Sequence, residues 1–313
     1  MQFDQSVLTR TERRIFALRT LYSSYGYKPY RMRKFEEYDL YSKNKDFLLS
    51  DRVITFTDTN GRLMALKPDV TLSIVRNLED RPDELQRLYY DENVYRVSET
   101  TNAFREIMQM GLECIGDAGN PSGTEVIDLA EKSLALMAED NDYVLKVSDL
   151  DILTDILDEI GAGRSFNAEL LELAGAKNLH GIVDLCGRYD IPERHCRTLT
   201  DLLKLYGTPE EVMPQLKQVC MGTGAEDEVE ELMEVITDLM TPDRRIVLDF
   251  SITGDTNYYN GMTFAGYIEG IPETVLVGGR YDMLMRRMKK RSRAIGFAVY
   301  LDTLARLAGG DED

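Results

Sequence analysis

From Leu150 to about Arg244 apolar residues recur at helical spacing almost without a break, while the chain on either side alternates as strands do. A fold must accommodate both periods. Ile152, Leu153, Ile156, Leu157 and Ile160 make one helical stripe, stopped by Gly161. Thr208-Pro209-Glu210-Glu211 reads as a helix start, with proline in the first turn and a capping glutamate. Val229, Leu232, Met233, Ile236 and Leu239 make another stripe. These faces read as packing surfaces, with no ligand box in them.

Before this stretch, Ile15, Leu18, Leu21 and Tyr22 share one helix face, with Gly26 placed to end it. Residues 51–58 and 62–66 alternate around Thr59-Asn60-Gly61, a hairpin signal because both Asn and Gly tolerate positive φ. Strands are expected near 88–97 and 106–115, then a helix capped by Ser122 and Glu125 that buries Val126, Leu129, Leu134 and Met137. After residue 245, the segments 246–251, 258–268 and 274–277 look like a meander, and a final helix covers Leu301 to Leu307. The expectation is an α+β fold: a core from residues 1–149 and 246–313, interrupted by a helical insertion at 150–245.

The 313 residues, 43% of them hydrophobic, suffice for a substantial core. No run of 18 apolar residues occurs, so no membrane partner is expected, and Met1-Gln2-Phe3-Asp4 lacks the features of a signal peptide. Four scattered cysteines, Cys114, Cys186, Cys196 and Cys220, suit a reducing cytoplasm. A formal net charge of −18 opposes nucleic-acid binding unless basic residues gather locally. One such group exists, Arg286, Arg287, Lys289, Lys290, Arg291 and Arg293. It reads either as a surface loop or as a contact for an anionic substrate or acidic partner.

Candidate chemistry is sparse in the helical stretch. His180 and His195 lie away from the strand-borne polar groups and read as surface or cap residues. No His, Cys and carboxylate group has metal-ligand spacing, and Gly222-Thr-Gly224 has no strand before it, so the phosphate-loop reading fails. Gln109 and Glu113 differ. An even separation puts both on one strand face, with Met108, Met110, Leu112 and Cys114 on the other. Burying such a pair requires partners, which a cationic or hydrogen-bonding ligand supplies. The same pattern also suits a half-exposed sheet face with solvated polar residues.

Several segments resemble one family together. Leu66-Lys67-Pro68-Asp69-Val70-Thr71 is similar to the Leu-Arg-Pro-Glu-Gly-Thr segment of histidyl-tRNA synthetases. Tyr95-Arg96 and the stretch from Arg105 to Glu113 resemble that family's motif 2. Tyr258-Tyr259 and Gly278-Gly279-Arg280-Tyr281-Asp282 resemble its Tyr-Tyr and Gly-Gly-Arg-Tyr-Asp signatures, and Gly296-Phe297-Ala298 begins its motif 3. The resemblance implies a class II aminoacyl-tRNA synthetase-like antiparallel sheet flanked by helices. It also implies a histidine site made of Asp69, Thr71, Gln109, Glu113, Tyr258, Tyr259 and Tyr281, with Arg96 and Arg105 as candidate anion-binding residues.

The departures from that family bear on activity. Gly254 stands where an adenylating arginine is expected, and Thr303 where motif 3 ends in arginine. Ser98 falls at the motif 2 glutamate, with Glu99 as its neighbour, and Arg33 at the motif 1 proline. The chain ends soon after motif 3, so no anticodon-binding domain, and no tRNA partner, is expected. Phosphoryl chemistry depends on fixed cations, so losing two arginines removes it. The whole resembles the synthetase-like regulatory subunits of ATP phosphoribosyltransferase, which carry no catalytic residues. That implies a short-form catalytic subunit as partner, L-histidine as allosteric ligand, and no cofactor. Two rivals stand beside this: a truncated ligase activating an amino acid, and a histidine sensor with another partner.

Overall fold

The computed structural model describes residues 7–48, 52–98, 101–116, 121–241, 243–252 and 258–304. Its helices are α1 (Arg10–Ser24), α2 (Tyr38–Ser42), α3 (Val70–Asn77), α4 (Pro121–Ala138), α5 (Leu150–Ile160), α6 (Arg164–Gly175), α7 (Leu179–Arg188), α8 (Glu193–Lys204), α9 (Pro209–Cys220), α10 (Glu226–Thr237), α11 (Asp282–Arg287) and α12 (Leu301–Leu304). Its strands are β1 (Lys28–Pro29), β2 (Phe35–Glu37), β3 (Thr55–Thr57), β4 (Leu63–Leu66), β5 (Gln86–Val97), β6 (Phe104–Ile115), β7 (Tyr143–Asp149), β8 (Tyr206–Gly207), β9 (Ile246–Asp249), β10 (Met262–Ile268), β11 (Leu276–Arg280) and β12 (Ala294–Tyr300).

Local chemistry accounts for many of these ends. Thr9 and Glu12 close a capping box on α1, and Gly26 takes φ +81° beyond its end. Gly161 caps α5 in the left-handed conformation, and Thr208 with Glu211 forms a capping box on α9. The β3–β4 hairpin forms as expected, but only Gly61 adopts positive φ. Asn60 does not need to, because its N–H and that of Arg62 both donate to Asp58 Oδ1, each at 2.8 Å. Ser122 lies outside the described side chains. Glu125 is engaged elsewhere, accepting from Tyr27 Oη and the Arg87 guanidinium.

Nine strands form the main sheet in the order β1-β5-β6-β12-β11-β10-β7-β9-β8, and β2-β4-β3 form a small second sheet. The expected 246–277 meander is corrected here. β9 pairs in parallel with β7, and the true antiparallel meander is β10-β11-β12. β9 leaves the meander because β7 fills the place beside β10. Residues 305–307 of the expected last helix lie outside the described residues.

Helices α1 and α4 cover one sheet face, where Met110, Leu112, Cys114, Phe264 and Phe297 are buried. The same apolar core continues into α5–α10, through Ile152, Phe166, Leu199 and Leu232 among others. Strand β8, inside the helical stretch, joins the sheet edge through β9. Packing therefore crosses the points where the sequence period changes. The opposite sheet face carries Gln109 and Glu113.

Candidate ligand pocket

On that opposite face a cavity of about 440 Å³ opens over the sheet. Its floor follows from strand register. Glu113, Gly296, Gly279 and Thr263 face each other across β6, β12, β11 and β10. The next row is Gly111, Ala298, Val277, Ala265 and, on β7, Lys146. Small residues leave the trough open. A Cβ at Gly296 would lie 1.9 Å from Glu113 Oε2, and one at Gly279 would lie 2.7 Å from the Tyr259 ring.

All seven residues expected to hold a ligand line this cavity: Asp69, Thr71, Gln109, Glu113, Tyr258, Tyr259 and Tyr281. The turn at Pro68 delivers Asp69 to the start of α3, where Oδ1 accepts the Leu72 N–H at 2.7 Å. Two residues on, Thr71 Oγ1 donates to Glu113 Oε1 at 2.6 Å. Tyr281 Oη donates to Glu113 Oε2 at 2.5 Å. Tyr258 packs edge-on to Tyr259 at 4.8 Å and tilted to Tyr281 at 6.3 Å, so three rings wall the acid end. Lys67, adjacent to this turn, is fully buried and pairs with Glu92 at 3.0 Å. It braces the turn from outside the cavity.

Burial governs the electrostatics. It pushes the Glu113 carboxyl up to about 8; nearby Asp69 pushes the same way, and the Thr71 and Tyr281 hydrogen bonds offset only part. Burial also raises Asp69, against the Leu72 N–H and the Arg96 and Lys67 charges. An enclosed Glu113 carboxyl that holds its proton near neutrality, beside an Asp69 that burial also raises, forms a site that gains from a cation or a strong donor.

The anion-binding expectation divides. Arg96 lines the cavity and donates from Nε to the Pro68 carbonyl at 3.1 Å. Arg105, directly opposite it in register, is exposed and is not among the lining residues. Thr303 lies on α12 and does not line the cavity. Gly254 and Glu99 lie outside the described residues. His195 is buried and accepts from Arg194 Nε at 3.0 Å, while His180 is exposed; neither reaches the cavity. The basic group at 286–293 turns out to be partly structural: Lys290 Nζ donates to the Leu78 carbonyl at 2.5 Å, and Arg293 lies 3.6 Å from Asp282.

Sequence reasoning missed Lys146, Lys177, Asp249 and Ser251, which line the far end of the same cavity. Parity in Tyr143–Asp149 and Ile246–Asp249 was the available signal for Lys146 and Asp249. Lys177 sits in the α6–α7 turn and has no local signal. A second missed group is Asp149, Asp151 and Glu228, whose carboxylate oxygens lie within 4.8 Å of one another. They come from two segments far apart in sequence, so no spacing rule could find them.

A strand-borne acid pocket over an antiparallel sheet, walled by paired tyrosines and entered past the start of a helix, defines a class II aminoacyl-tRNA synthetase-like core. Within that class the chain belongs to the histidyl-tRNA synthetase family, whose sequence signature matches residues 5–304. A relative from Oceanobacillus iheyensis, named ATP phosphoribosyltransferase regulatory subunit, is 28% identical over 91% of this chain and 70% of its own length. One of the same name from Caldanaerobacter subterraneus subsp. tengcongensis is 29% identical over 91% of this chain and 75% of its own. Among solved structures, an ATP phosphoribosyltransferase regulatory subunit/histidyl-tRNA synthetase from Bacillus halodurans superposes with TM-score 0.81 at 22% identity, covering 95% of this chain and 78% of that one. The ATP phosphoribosyl transferase (HisG:HisZ) complex from Thermotoga maritima gives TM-score 0.71 at 19% identity, covering 94% and 98%. At these identities the structural likenesses establish the fold. Among the described residues no helix is long and apolar enough to cross a membrane.

Proposed function

We propose that this chain is the regulatory subunit of an ATP phosphoribosyltransferase, non-catalytic itself, and that it binds L-histidine at the acid end of the cavity. The observation that carries the reading is Glu113: a fully enclosed carboxyl, held by Thr71 and Tyr281 between tyrosine rings, with no cation beside it among the described residues. The names of the relatives supply the context. An imidazole fits between the rings and exchanges a proton with Glu113. The α-ammonium group goes to Asp69 and Gln109.

The partner is a short catalytic subunit, which carries the reacting groups. Histidine then acts by binding the low-activity state of the assembly better than the active one. A tenfold preference corresponds to about 1.4 kcal/mol. No role for tRNA is included, since a net charge of −18 repels a polyanion.

A ligase reading keeps one foothold, because Arg96 lines the cavity. Against it, Gly254 offers no side chain and Thr303 no charge at the matching arginine positions. The deciding experiment is a phosphoribosyltransferase assay of the short catalytic subunit with and without this chain, repeated with L-histidine. Activation by the chain, reversed by histidine, is the expected result. Equal activity in all arms would remove the regulatory role.

A further inference from the structure

The cavity is longer than one amino acid. From β6, where Gln109 and Glu113 line the cavity, to Lys146 on β7 the floor crosses four strand spacings, each about 4.8 Å, or about 19 Å in all. An amino acid such as histidine spans less than two of them. The far end is chemically opposite to the near one. Lys146 Nζ and Lys177 Nζ both donate to Asp249 Oδ2 at 3.1 Å, and Lys177 also reaches Oδ1 at 3.4 Å.

Asp249 is 1% exposed and fixed from behind. Ser251 donates to its Oδ1 from Oγ at 2.5 Å and from N at 3.2 Å. Burial opposes its ionisation, but Ser251, Lys146 and Lys177 together hold it below the usual carboxylate range. The charge count at this end is two ammonium groups to one carboxylate. Each ammonium carries three donors, so Asp249 cannot saturate them.

The lysines are also held in place. Lys146 Nζ lies 5.5 Å from the Tyr206 ring centre and 5.3 Å from that of Tyr267; Lys177 Nζ lies 5.3 Å from Tyr206. Aromatic faces and a rigid carboxylate preorganise both heads, and a preorganised pair binds an anion without paying again for their order. In a chain this acidic, a net positive cavity end lined by two lysines requires a reason.

We propose that the Lys146–Lys177 end of the cavity is a second subsite, which takes an oxyanion, a phosphate ester or a carboxylate, bridging the two ammonium groups. It is filled independently of the acid end. Lys177 comes from the α6–α7 turn and Lys146 from β7, so an anion there ties the helical stretch to the sheet.

The test is calorimetric titration of the full chain at constant ionic strength, with inorganic phosphate in one arm and succinate in the other. Saturable binding of either supports the subsite, and the preferred arm identifies the source of the oxyanion. Lys177→Gln is the main variant, because that side chain is half exposed and Asp249 keeps Lys146. It weakens anion binding about tenfold or more, while affinity for L-histidine stays unchanged. Lys146→Gln is the second variant, with the same expected sign. No saturable anion binding, or equal binding by Lys177→Gln, overturns the proposal. So does displacement of the anion by L-histidine, or a loss of histidine affinity in Lys177→Gln, since either would make the two ends one site. Failure of L-histidine to bind at all would count against the proposed function and leave the anion result standing.

Discussion

Replacing Glu113 by glutamine isolates a strongly perturbed carboxyl in the pocket. The amide keeps the shape and can accept from one of Thr71 and Tyr281 while donating to the other, since both hydroxyls rotate. It removes only the ionisation. In the folded, ligand-free protein burial raises Glu113 from its ordinary 4.5 to about 8. The folded state therefore holds this proton more tightly than the unfolded chain does. Its contribution is fully present below about pH 4.5, where both states are protonated, and is lost as pH rises towards 8. At 1.36 kcal/mol per pH unit the whole effect has an upper bound of about 5 kcal/mol.

Urea unfolding of both proteins, free of ligand, at intervals from pH 5 to pH 9 measures it. Other carboxylates of this acidic chain contribute equally to both curves and cancel in the difference. The stability of the wild type relative to Glu113→Gln should fall steadily across that window and level off above pH 8. Parallel curves would refute the reasoning and return Glu113 to an ordinary solvated carboxylate. Histidine binding should show a related profile. One proton shared between Glu113 and an imidazole of ordinary value near 6.5 gives strongest binding between about pH 6.5 and 8.

Two further outcomes are expected. Gly296→Ala pushes a methyl group into Glu113 Oε2 and the Leu112 carbonyl, at 1.9 and 2.5 Å from the ideal Cβ position; it should cost about 1–3 kcal/mol of stability and abolish histidine binding, and an unchanged melting curve and titration would show that the floor yields. The chain alone should catalyse no histidine-dependent ATP–pyrophosphate exchange, because neither Gly254 nor Thr303 supplies the cation that adenylation requires; exchange at an enzymatic rate in a preparation free of contaminating synthetase would promote the ligase reading.

What the sequence determined by itself is local. Parity on one strand placed Gln109 and Glu113 together, the Ile152–Leu157 stripe with Gly161 marked α5, and Thr208-Pro209 marked the start of α9, since these depend on side-chain period and caps within a few residues. Resemblance to a family's motifs added Asp69, Thr71 and the three tyrosines. Their sharing of one cavity, and the burial that raises Glu113, belong to the fold. Tertiary structure alone decided that β9 runs parallel to β7, that Arg96 lines the cavity while Arg105 is not among its lining residues, that Glu125 serves Arg87 instead of a helix cap, and that Lys177 meets Asp249. The reason is that strand order and contacts between distant segments depend on how the whole chain buries its apolar faces, and the period of any one segment is the same whichever neighbour it pairs with.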